Sequence, residues 1–189
     1  MSDATDAPAT VVKSRGARGA DAARLEYVTA WPPAVDSEAA AAISDLWRRE
    51  GALGTDEAMA DRMRQVVGFA RDTHGRAVAV ATAVPIIAPH IEQPVYYYRT
   101  FVAPDWRQSR AMLTLLRHAM ETLKDYARPR GFPCIGILLE LQAPKFAEHG
   151  RSASWRNPRF EFIGRSPRGY DLRVHYFRGA KLKPPSAAG

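Results

Sequence analysis

Thiol is nearly absent from this chain of 189 residues: Cys134 is the one cysteine. That excludes an internal disulfide and a thiolate metal cluster. Long apolar runs are missing too, since none approaches the roughly 18 residues of a membrane span. The first residues show no basic start followed by an apolar core, so no secretory signal is read there. The five histidines, His74, His90, His118, His149 and His175, have no ligand spacing, and no metal site is expected. No segment recurs at a fixed period. These absences lead to the expectation of a cytoplasmic protein that neither crosses nor binds a membrane.

Acidic charge is scarce in one place. The formal charge is +7, and from Pro144 onward ten Lys and Arg face three Asp and Glu, so the whole excess lies in the last quarter. Such a face attracts anions, whether a nucleotide phosphate, an acidic carrier protein or nucleic acid; a solvated surface is the alternative reading. Nucleic acid is the least favoured, because no helix-turn-helix or aromatic–basic motif accompanies the charge. What remains is ordinary: 46% hydrophobic and 25% charged residues are the composition of a globular domain.

Residues 1–24 are small, polar and aperiodic and read as a disordered tail, as does the stretch from Gly179 to Gly189. Residues 25–178 read as one domain. Leu25–Trp31 suits a first strand, stopped by Pro32-Pro33. Asp36 or Ser37 can cap a helix that carries Ala39, Ile43, Leu46 and Trp47 on one face, and Thr55 can cap a second with Met59 and Met63 inward. A strand from near Gln65, the turn Asp72–Gly75 and a strand Ala77–Val84 form a hairpin. Three prolines in Pro85–Pro94 read as an irregular loop. Phe132–Leu141 is a buried strand, Ala143–Trp155 a short helix, and Arg159–Gly164 and Tyr170–Phe177 a final hairpin about the turn Ser166–Gly169.

Pro94–Ala127 organises the rest. Val95–Val102 has the aromatic and β-branched content of a strand. Ala103-Pro104-Asp105 ends it, because proline has no amide hydrogen to give. From Met112 the apolar residues Met112, Leu115, Leu116, Ala119, Met120 and Leu123 recur at helical spacing, with Arg110, Thr114, Arg117, Glu121 and Lys124 opposite. A helix that starts directly behind a strand points unpaired N–H groups and a partial positive charge at the strand's end, a good seat for phosphate. The following strand, Phe132–Leu141, is expected parallel to Val95–Val102 as a βαβ unit.

The element order and the run Val102-Ala103-Pro104-Asp105-Trp106-Arg107-Gln108-Ser109-Arg110-Ala111-Met112, then Leu115-Leu116, resemble the GNAT superfamily of acyl-CoA-dependent N-acyltransferases. The family pattern there is V-x-P-x-x-R-x-x-G-x-G/A-x-x-L-L. Val102, Pro104, Arg107, Leu115 and Leu116 match it; Arg110 and Met112 replace the two later glycines. The resemblance implies an α/β (α+β) fold, with a mixed, splayed central sheet of about seven strands flanked by about four helices. It implies acetyl-CoA or another acyl-CoA as co-substrate. The backbone of Phe101 and Val102 would pair with the pantetheine arm, and the pyrophosphate would rest on the amides of Gln108, Ser109, Arg110 and Ala111, with Arg107 and Arg110 as side-chain contacts. It also implies direct attack of an amine on the thioester. Trp155 stands where the family often has a tyrosine to protonate sulfur, and an indole N–H is not a usable acid.

Glu140 is the candidate base. It sits inside the apolar run Ile135–Leu141, where burial would raise its pKa; the alternative is a strand-end carboxylate paired with an arginine. Alternation sends Tyr97 and Arg99 to one face of their strand and Tyr96 and Tyr98 to the other. Cys134 reads as packing, and His118 as a surface residue. The expected function is an N-acetyltransferase acting on a small-molecule or protein amine, with a homodimer as one option for its assembly. The alternatives are an acyltransferase fed by an acyl carrier protein, and a GNAT-like binding module without catalysis.

Overall fold

Side chains at the helix ends explain where the helices begin. The computed structural model describes residues 11–12, 25–33, 35–142 and 154–183. Helix α1 spans Ser37–Arg49, and the Asp36 carboxylate accepts the Ala39 amide at 2.7 Å. Helix α2 spans Asp56–Met63, capped in the same way by Thr55 on the Ala58 amide at 3.1 Å. Each cap satisfies one of the donors that a first helical turn leaves open. Helix α3 spans Ala111–Ala127.

Nine strands are described: β1 (Val11–Val12), β2 (Glu26–Thr29), β3 (Val66–Arg71), β4 (Ala77–Ala88), β5 (Gln93–Val102), β6 (Gly136–Leu141), β7 (Ser154–Arg156), β8 (Arg159–Arg165) and β9 (Asp171–Tyr176). The chain folds into two compact units, Met1–Ala81 with Thr100–Ala119, and Thr82–Arg99 with Met120–Gly189. Strands β4 and β5 and helix α3 run through both.

In the first unit β1, β2, β3 and β4 pair in that order, with β1–β2 and β2–β3 antiparallel. Ile43, Leu46 and Trp47 of α1 and Met59 of α2 bury against Val66, Phe69, Ala77 and Val80. These are the inward residues that the helical spacing marked. The N-terminal half of α3 belongs here, with Ala111, Leu115 and Ala119 buried. Its other side is less exposed than its polarity suggests. Thr114 hydrogen-bonds Tyr27, and His118 Nε2 lies 2.6 Å from Thr29 Oγ1. His118 is thus half-buried on β2, which corrects its reading as a surface residue.

In the second unit β5, β6, β9, β8 and β7 pair in that order. β5 and β6 are parallel, as the βαβ reading expects; β6–β9, β9–β8 and β8–β7 are antiparallel. Ala88, Val95, Ile135, Leu138, Leu172 and Val174 form its core. Gly136 lies so close to β9 that an added Cβ would stand 2.1 Å from the His175 carbonyl oxygen, so only glycine fits.

Three expectations are corrected here. β4 does not stop at Val84 but runs through Pro85 to Ala88. Pro85 and Ile87 face outward there while Ala88 is buried, so the ring costs the strand little. Ser154–Arg156 is extended and pairs with β8, Trp155 opposite Phe160, so this end of the expected helix over Ala143–Trp155 is strand; residues 143–153 lie outside the described residues. Finally, Arg173, counted with the basic excess of the last quarter, is fully buried on β9 with its guanidinium 5.8 Å from the Phe162 ring centre. Its charge does not belong to a solvated face.

Candidate functional site

β5 and β6 pair over three residues only: Tyr96 with Ile137, Tyr97 with Leu138, Tyr98 with Leu139. β5 then continues to Val102. β6 continues to Leu141 as the partner of β9, through Glu140 with Leu172 and Leu141 with Asp171. Arg99 and Glu140 are the first residues past the end of the shared ladder. The far end of β5 is tied elsewhere: Phe101 packs on the Trp47 cluster, and the Ala103 amide donates to the Val78 carbonyl at 2.9 Å. A strand that leaves its parallel partner exposes backbone groups on that edge.

Beyond β5 the chain makes a short 3-10 turn over Pro104–Trp106 and enters α3. The loop consumes part of its own hydrogen-bonding capacity. Arg107 Nε donates to the Val102 carbonyl at 3.2 Å, and the Arg107 amide donates to the Pro104 carbonyl. The Ser109 amide and Oγ both donate to the Trp106 carbonyl, and Ser109 Oγ accepts the Ala111 amide at 3.1 Å. The expected cradle over Gln108 to Ala111 therefore needs a correction: the Ser109 and Ala111 amides are engaged within the loop. Among the described residues, the amides of Gln108, Arg110, Met112 and Leu113 have no acceptor. The first turn of α3 carries no acidic side chain, so the positive end of the helix is uncompensated. Arg110 is exposed and Met112 is 38% exposed. Neither side chain is buried against the loop, and the open amides with an uncompensated helix end are donor chemistry suited to an anion. The glycine positions of the family pattern are replaced at the surface, where bulk matters least.

The second unit holds a cluster centred on Glu140, whose side chain is 5% exposed. Tyr97 Oη donates to it from β5, and Arg168 Nη2 from the turn between β8 and β9. Gln142 Nε2 lies at 3.4 Å. The Tyr97, Arg168 and Gln142 donors all converge on one carboxylate oxygen, Oε2. Burial by itself pushes this carboxyl up, but the neighbouring side chains of Ser166, Tyr97, Arg168 and Gln142 outweigh it and hold it at about 2. The expectation that burial raises the Glu140 pKa is corrected; the alternative, a strand-end carboxylate paired with an arginine, is what the geometry has. A carboxylate in this state is a fixed negative acceptor, poorly suited to taking a proton.

Arg99 joins the cluster through Tyr97. Its guanidinium carbon lies 4.5 Å from the Tyr97 ring centre. Burial and the bond to Glu140 push that phenol up. Alternation along β5 had placed Tyr97 and Arg99 on one face, and they are together. Ser166, Arg168 and Gln142 were not singled out in the sequence, because nothing local announces that a turn 28 residues after Glu140 returns to it. Cys134 is buried beside Tyr96, with its thiol pushed up to about 11 by burial, as packing requires.

No family model matches the chain, and no curated protein does. Solved structures do. An acetyltransferase of the GNAT family from Streptococcus pneumoniae aligns with a TM-score of 0.54 at 15% identity, over 81% of this chain and 99% of that one. A GNAT superfamily phosphinothricin acetyltransferase from Sinorhizobium meliloti, solved with AcCoA, aligns at 0.57 and 13% identity, over 94% and 93%. RimL, a ribosomal L7/L12 alpha-N-protein acetyltransferase, aligns at 0.51 and 14%, over 84% and 96%. At these identities the likeness is one of fold.

Proposed function

We propose that this chain, whose fold is that of the GNAT superfamily, is an N-acetyltransferase that moves an acetyl group from acetyl-CoA to an amine. The observation that carries the reading is the end of β5, past its ladder with β6, leading through a short loop to a helix start with open amides and no acidic side chain in its first turn. Phe101 and Val102 would present backbone to the pantetheine arm. Gln108 and Arg110, with Met112 and Leu113, would hold the diphosphate through their amides, while Arg107 and Arg110 add charge and Ser109 and Ala111 keep the loop in shape. Acetyl-CoA supplies the activated acyl group when bound.

In the transfer the amine nitrogen bonds to the acyl carbon, the carbon–sulfur bond breaks, and the nitrogen gives up a proton. The products are an N-acetyl amide and the free thiol of coenzyme A. The leaving sulfur needs no strong acid, since a thiol is already a moderate one. Glu140 acts as a positioning residue that fixes Tyr97 and Arg168. The acceptor is a small-molecule or protein amine; the names of the two neighbours above, one for phosphinothricin and one for a protein alpha-amine, span both.

Titration of the purified chain with acetyl-CoA by calorimetry tests the donor. Saturable binding that weakens about tenfold in Arg110→Glu supports the reading. A response to acylated carrier protein with none to acetyl-CoA selects the carrier-protein alternative. Silence to both leaves a binding module.

A further inference from the structure

The cluster at the β5–β6 fork has one more positive charge than it uses. Glu140 is neutralised by Arg168, whose side chain is 58% exposed and reaches in from the Ser166–Gly169 turn. The nearby Asp171 is paired with Arg165 at 3.3 Å. Arg99 has no ion-pair partner among the described residues. Its ring neighbour is Tyr97, whose face it stacks on at 4.5 Å from the ring centre. The side chain is partly buried and held by a strand rather than a mobile loop. A guanidinium has five N–H donors, and they form a planar fork of the kind that takes a carboxylate in two parallel bonds. Stacking on Tyr97 already restricts the fork, so a ligand need not immobilise it.

We infer that Arg99 is a specificity-determining residue that binds a carboxylate on the acceptor, so that the acceptor is an amine carrying its own carboxylate, an amino acid or a close analogue. The inference deepens the acetyltransferase reading and rests on it. Arg99 and Glu140 stand on the two strands where the ladder ends. An acceptor anchored there by its carboxylate keeps its amine free, and the Glu140 carboxylate is already paired with Arg168. Arg168 and Tyr97 confine the negative charge of Glu140 to the protein, which leaves Arg99 as the one cation of the cluster available to an incoming anion.

The test uses pairs of ligands that differ only in the carboxylate: phenylalanine with phenethylamine, leucine with isoamylamine, methionine with 3-methylthiopropylamine. Binding of each to the full chain is measured by calorimetry without donor, and acetyl transfer by release of free thiol from acetyl-CoA. At least one acid of the set is expected to bind about tenfold or more tightly than its decarboxylated partner. Arg99→Gln brings that pair to parity, Arg99→Lys falls between, and the affinity for acetyl-CoA is the same in all three proteins. Circular dichroism melts show whether each variant folds, and the Lys variant keeps the charge if the Gln variant does not. Parity in the wild type, a preference that survives Arg99→Gln, or no binding by any of the six compounds overturns the inference. A chain that prefers the acids through Arg99 but ignores acetyl-CoA removes the donor reading and leaves the carboxylate site standing.

Discussion

Arg168 donates to Glu140 from a turn 28 residues further along the chain, and the pair joins β6 to the β8–β9 turn. The carboxyl end of this contact is nearly enclosed and the guanidinium end is mostly exposed. The relationship converts a residue that the apolar run marked as a candidate base into a charged anchor.

A pH dependence follows from it. The Glu140 carboxyl is held at about 2, below its ordinary 4.5. A depressed carboxyl stabilises the fold above its unfolded value and loses that contribution as pH falls towards its folded one. The melting temperature of the wild type should therefore decline between about pH 5 and pH 2 more steeply than that of Glu140→Gln. The variant should be less stable at pH 7, and the gap should close by pH 2. Equal gaps at both ends of the range would contradict this account.

The turnover of Glu140→Gln separates the two roles of the residue. As a positioning residue it should change the acceptor KM several-fold while the pH profile of kcat keeps its shape. Loss of the acidic limb of that profile, with KM unchanged, would instead make Glu140 a proton acceptor.

Gly136→Ala should destabilise the chain by about 3 kcal/mol or prevent folding, because overpacking that only backbone can relieve is costly. The contacts are the His175 carbonyl oxygen at 2.1 Å and carbon at 3.0 Å, and the Tyr176 Cα at 3.1 Å. A control is Asp36→Ala, which removes one cap bond and should cost about 1 kcal/mol. Urea denaturation of both variants orders them; a smaller loss in Gly136→Ala than in Asp36→Ala would contradict the close β6–β9 approach.

Cys134 is 3% exposed and its thiol is pushed up to about 11. The folded chain should react with a thiol reagent at neutral pH no faster than it unfolds. A Cys134 that labels at the rate of free cysteine would mean that β6 and its neighbours open. The same inertness lets released coenzyme A be counted without background from the protein.

Much of the frame was legible because the signals are local. Asp36 and Thr55 cap where their spacing to the apolar residues demands, and α3 carries its buried Leu115, Ala119 and Leu123 at helical intervals. The parallel β5–β6 pair followed from a strand, helix and strand in sequence. Pro85 misled because proline interrupts a ladder only where its nitrogen faces a partner. The surroundings of Glu140 were illegible for a different reason: composition sees burial but not the donors that reach it from β5, from the end of β6 and from a distant turn. The Ser109 cap on Ala111 is likewise a matter of rotamer and loop geometry, which letters do not encode.

The central claim is that the loop before α3 receives the diphosphate of acetyl-CoA. Amide chemical shifts of an isotope-labelled chain, followed while acetyl-CoA is added, test it directly. The account predicts saturable downfield shifts largest at Gln108, Arg110, Met112 and Leu113, and small at Ser109 and Ala111, whose amides already have acceptors. Absence of saturable shifts at the first four, or their confinement to residues outside the loop, would contradict it.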